Sequence, residues 1–140
     1  RSTLFPYTTL FRSRDKAVTW MNSTVNGRPV VARTGYIVEF NALWYNALCF
    51  VADLLSLDYG FVDYLHQFSD KVSKSFVQTF LNEYGYLLDY VDGNMMEWSV
   101  RPNMIFAVAF DYSPFFRGFG LLPIRIGHHE QMVISHYVHS

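Results

Sequence analysis

The stretch VEFNALWYNALCFVADLLSL, residues 38–57, decides the fold class. Its apolar side chains recur at Phe40, Leu43, Trp44, Ala47, Leu48, Val51, Leu54 and Leu55, three and four residues apart, which is the period of a helix. The few polar residues, Glu39, Asn46 and Asp53, are spaced by seven and share one narrow face, so the pattern predicts a helix nearly surrounded by protein. A second helix is predicted from about Phe61 to Leu81. There Phe61, Leu65, Phe68, Val72, Phe76 and Phe80 form one stripe, while Asp63, Gln67, Asp70, Lys71, Lys74 and Gln78 face elsewhere. That helix is amphipathic and belongs on the outside. The break at Asp58-Tyr59-Gly60 makes the pair an αα-hairpin, with Gly60 as its turn residue.

Downstream, Tyr84 to Val100 carries alternating bulky residues and an Asp92-Gly93 turn signal, and reads as a short hairpin or ordered loop. Pro102 suits the first position of a third helix, and NMIFAVAF after it offers little polar surface on any side, so this helix too is expected to be buried. A buried helix, an exposed helix, a long loop and another buried helix thus succeed one another. Such alternation is the pattern of an all-α toroid of inner and outer helices whose long loops open where a pocket would lie.

Composition narrows the class of partner. The 140 residues are enough for one domain with a core, and a hydrophobic fraction of 51% against 16% charged residues fits a globular chain. A net charge of -1 argues against a nucleic-acid partner and points to a neutral one. Aromatic residues make up 19%, which supplies many flat faces for a core or a groove. Cys49, the single cysteine, lies in an apolar run and reads as a core residue of a reducing, cytoplasmic compartment. No run is long and apolar enough for a membrane span, and residues 1–14 lack the apolar region and cleavage site of a signal peptide.

The two ends differ from the middle. TLFPYTTLFRS, residues 3–13, has no helical or strand period and is identical to the first-frame translation of a common short-read sequencing adapter. Residues 1–14 are therefore expected to be adapter-derived and are set aside from function. FFRGFGLLPIRIGHHEQMVISHYVHS, residues 115–140, holds His128, His129, His136 and His139 beside Glu130. The spacing does not match the H-E-x-x-H arrangement that sets two ligands on one helical face, so no metal is expected. An out-of-frame or foreign tail is the preferred reading of 115–140, with a surface loop and a zinc site as alternatives. Residues 15–114 form the remaining unit.

Within that unit three separated blocks, TWMNSTVNGRPVVARTGYIVEFNALWYNAL (19–48), YLLDYVDG (86–93) and SVRPNMIFAVAFDYSP (99–114), closely resemble the glucosidase part of glycogen debranching enzyme, the amylo-α-1,6-glucosidase domain. The resemblance implies an (α/α)6 barrel of which this chain holds about three helices as a fragment, with one short hairpin-like loop. It also implies hydrolysis, with inversion, of the α-1,6 glucosyl stub at a branch point of glycogen or a branched α-glucan oligosaccharide, without a cofactor, and away from membranes and nucleic acid.

Inversion needs one carboxylic acid to protonate the leaving oxygen and a second carboxylate to activate water on the far face. In the family pattern the acid is the Asp immediately after Trp-Met; here that position is Asn22, which has no titratable proton. The partner base belongs to a motif beyond Pro114 and is expected to be absent, so the chain alone is expected to be inactive and to fold poorly. A non-catalytic carbohydrate-binding relative is the alternative. Trp20 and Trp44 are candidate ring faces for the C–H side of glucose; Glu39, Asn41, Arg101 and Asn103 are candidate partners for its hydroxyls. Each also has a structural reading: Trp44 as core, Glu39 and Asn41 at a helix start, and Arg101 as an anchor to Asp89 or Asp92.

Overall fold

Strand β4 (Gly35–Ile37) runs straight into helix α1 (Val38–Leu54), and this junction organises the molecule. The computed structural model describes residue 10 and residues 12–13, 19–55, 59–115, 124–125 and 131–132. No side chain caps α1 at Ile37. Instead, the backbone N–H of Val38 donates to the carbonyl of Asp89 at 3.1 Å, so one of the four unpaired donors of a helix start is satisfied by a distant segment.

β4 is central in a four-stranded antiparallel sheet of order β1-β4-β5-β6, with β1 at Arg12–Ser13, β5 at Tyr90–Asp92 and β6 at Met95–Met96. Register pairs Tyr36 with Val91 and Ile37 with Tyr90. β5 and β6 form the hairpin expected around Asp92-Gly93, with Gly93 at φ 63°. A separate hairpin joins β2 (Thr24–Val25) to β3 (Arg28–Pro29) through Asn26 at φ 51° and Gly27 at φ 70°. Two consecutive positive φ values are what a tight hairpin turn requires, and an Asn-Gly pair supplies them at least cost. A further pair, β7 (Ile124–Arg125) and β8 (Gln131–Met132), is antiparallel. The structure thus adds small sheets to the single hairpin expected. Strands of two or three residues are too short to carry a readable period, and long-range pairing alone defines them.

Helix α2 (Tyr59–Phe80) begins before its expected start at Phe61, so that Gly60 lies inside its first turn and is not the turn residue. Its stripe faces inward except at its first member: Leu65, Val72, Phe76 and Phe80 are buried and Phe68 is half-buried, while Phe61 is exposed. These meet Tyr45, Leu48, Cys49 and Ala52 of α1 in one core. Phe115 joins that core, its ring edge-on to Phe76 at 5.7 Å, and Ser73 Oγ donates to the carbonyl of Pro114 at 2.5 Å. Leu10 is buried in the same cluster.

Two helices depart from expectation. α1 is not surrounded: Leu43, Phe50, Val51 and Leu54 are exposed on the side away from α2. The segment after Pro102 forms a 3-10 turn (Pro102–Ile105) followed by only four α-helical residues, α3 (Phe106–Ala109). Phe110 turns extended at ψ 154°, and Asn103, Met104, Ala107 and Val108 are buried while Ile105 and Phe106 stay open. Ser113 Oγ donates back to the carbonyl of Ala107 at 2.8 Å and closes the end of this short helix.

Candidate functional site

The β4–β5 register places Asp89 beside the start of α1, and a charged network is built around it. Arg33, in the extended segment between β3 and β4, is fully buried. Its Nη1 and Nη2 donate to Glu39 Oε1 and Oε2 at 2.5 and 2.7 Å, a two-point fork on the first turn of α1. Nη2 also reaches Asp89 Oδ1 at 2.9 Å and the Asp89 carbonyl at 3.3 Å. From the other side Asn103 Nδ2 donates to Asp89 Oδ1 and Arg101 Nη1 to Asp89 Oδ2, both at 2.7 Å. Asn103 Oδ1 in turn accepts the indole N–H of Trp20 at 2.8 Å, and Met21 Sδ lies 3.6 Å from Asn103 Nδ2.

The charges balance: two guanidinium groups face two buried carboxylates. Burial opposes the charge on Arg33, yet the hydrogen bonds to Glu39 and the charges of Glu39 and Asp89 outweigh it and raise its pKa above the ordinary value of a guanidinium. Arg33 Nε has no acceptor among the described residues. At the edge, Glu97 lies 3.9 Å from Arg101, and bonds from the Ser99 side chain and backbone hold its carboxyl below its ordinary value.

Of the residues singled out from sequence, Trp20, Glu39, Arg101 and Asn103 are brought into this one network. Trp20 presents its ring outward, 65% exposed, while its N–H is pinned from below. Asn22 lies exposed two residues on. Glu39 is buried and engaged by Arg33, and Arg101 takes Asp89 and not Asp92, which instead accepts from Thr34 Oγ1 at 2.7 Å. Asn41 is buried and donates to the Ile37 carbonyl at 2.8 Å, and Trp44 packs edge-on against Phe68 of α2, with ring centroids 6.3 Å apart.

Sequence reasoning passed over Arg33 and saw Asp89 only as a partner for Arg101. The signal was there: a charged residue inside VVAR and another inside YLLDYV sit in apolar runs, and buried charges require partners.

A family model described as amylo-alpha-1,6-glucosidase matches residues 6–118. The chain belongs to the amylo-α-1,6-glucosidase family. No curated protein and no solved structure matches it. Membership makes the chain one of a glycoside-hydrolase family of the debranching type, and the network above lies wholly inside the matched residues. Among the described residues no group of three or more His, Cys, Asp or Glu could hold a metal ion; His128, His129, His136 and His139 lie outside them. No described helix is long and apolar enough to cross a membrane.

What this arrangement can do chemically follows from its groups. The indole face and the part-exposed Arg101 suit a neutral polyol. Both central carboxylates are tied to guanidinium groups, which suits them to positioning their neighbours better than to proton transfer.

Proposed function

We propose that this chain is part of a debranching-type glycosidase that hydrolyses α-1,6 glucosyl stubs on glycogen or branched α-glucan oligosaccharides with inversion, in the cytoplasm. The observation carrying the reading is the Trp20–Asn103–Asp89–Arg101 chain of hydrogen bonds inside the family's matched region. In this reading Trp20 stacks on the sugar ring. Arg101 and Asn103 orient it through their common anchor Asp89, and the second carboxylate comes from outside these 140 residues.

Asn22 at the acid position leaves the chain alone without turnover, because a missing general acid removes a rate factor of about a hundred to ten thousand. The same substitution favours the second reading, a relative that binds branched glucan without cleaving it. Glucose release from a limit dextrin by the full-length parent, with Asn22 and with Asn22→Asp, separates the two. Turnover with Asn22 in place supports the hydrolase and means that another group supplies the proton; gain of turnover only in Asn22→Asp marks this position as that of a disabled acid; binding without turnover in both sinks the hydrolase and supports the binding relative.

A further inference from the structure

Next to the network, but outside it, three aromatic rings gather on the surface. Tyr84 and Tyr86 are stacked with centroids 6.3 Å apart and planes 19° apart, and the Trp98 indole meets both edge-on at 6.2 and 6.3 Å. Tyr84 is 62% and Trp98 42% exposed, so much of their faces meets water. An apolar cluster left in water is costly unless something covers it.

The rings are held in place by the backbone. Asn82 Oδ1 accepts the N–H groups of Tyr84 at 3.0 Å and Tyr86 at 3.2 Å, and Asn82 N–H donates to the Tyr86 carbonyl at 3.0 Å. Gly85 makes the loop possible at φ 82°. Trp98 follows Glu97, whose backbone bonds to Asp89 and Tyr90 fix the strand-like segment beside the loop. Two further features point to a polar ligand. Asn82 Nδ2 is buried without a partner among the described residues, and Glu97, the residue before Trp98, holds Ser99 Oγ on its carboxylate at 2.5 Å. Glu97 also links the rings to the site, through Arg101.

We infer that Tyr84, Tyr86 and Trp98 form a second carbohydrate subsite, a platform that holds a linear α-glucan segment next to the Trp20 site. A neutral polyol chain with alternating C–H faces and hydroxyls fits flat rings that carry their own phenol and indole hydrogen-bonding groups at the edge. Pre-ordering of the loop lowers the entropy lost on binding. The inference rests on the glucan reading proposed above, and linear and branched ligands tell the two apart.

Calorimetric titration of the full chain with maltoheptaose and with a maltotriose carrying one α-1,6 glucosyl stub tests it. Tyr84→Ala/Trp98→Ala is expected to lose about tenfold or more in maltoheptaose affinity, and Tyr84→Phe/Trp98→Phe to keep most of it. The branched tetrasaccharide, short enough for the Trp20 site, should bind both variants as it binds the parent chain. Should the double alanine variant not fold, Tyr84→Ala alone decides, since that side chain lies on an exposed turn. Unchanged maltoheptaose affinity in the alanine variants, or no maltoheptaose binding by the parent chain, overturns the platform even where the branched ligand binds. Ring-dependent binding of maltoheptaose with no binding of the branched ligand keeps the platform and removes the proposed function.

Discussion

Arg33 has the most to lose by substitution. It holds Glu39 and Asp89, two carboxylates with almost no solvent contact, and removing it leaves both charges buried without their main counter-ion. Arg33→Met is expected to destabilise the chain by about 3–5 kcal/mol, read as a lowered urea midpoint. Arg33→Lys should rescue little of this, because a single ammonium cannot reproduce the two-point fork on Glu39. Tyr112 gives a prediction in pH. Its hydroxyl donates to Asp53, and that bond, with lesser help from burial, raises its pKa from 10.0 to about 12. A pKa raised on folding favours the protonated form in the native state. The contribution is therefore whole below pH 10.0 and lost as pH rises through about 12. Stability measured across that window should fall in the parent chain by an increment that Tyr112→Phe lacks.

At the scale of elements, the β4–β5 contact is the most demanding. Gly35 has φ 78°, and a Cβ placed there would lie 2.3 Å from the Val91 carbonyl oxygen and 2.7 Å from Asp92 Cα. Gly35→Ala combines a left-handed backbone penalty with backbone overlap, for an expected loss of about 2–5 kcal/mol in denaturant unfolding. Because this register also places Asp89 beside α1, the same variant should weaken binding of the branched oligosaccharide, a change separable from stability by titrating well below the melting temperature. The amphipathic period of α2 and the Asn26-Gly27 and Asp92-Gly93 turns were legible in the sequence, since each is a local preference of its own residues. The 3-10 start and early end of α3 were not. NMIFAVAF looks helical throughout, and the bond from Ser113 to Ala107 that closes the helix belongs to packing after the turn.

Across the whole molecule, α1 leaves Leu43, Phe50, Val51 and Leu54 in water, and α3 adds Ile105 and Phe106. The isolated chain is therefore expected to bind a hydrophobic dye and to associate as its concentration rises. Phe50→Lys/Leu54→Lys should reduce both effects in dye fluorescence and sedimentation, with little change in unfolding midpoint because neither side chain is in the core. Side-chain periods, turn residues and family blocks lie along the chain itself. They suffice for the two long helices, the hairpin turns and the family, and they pick out Trp20, Glu39, Arg101 and Asn103. Only packing could join those four through Arg33 and Asp89, turn Asn41 and Trp44 to other partners, and leave one side of α1 bare. Hydrogen bonds and burial between segments dozens of residues apart depend on where the chain returns in space, and no local pattern of residue types encodes that.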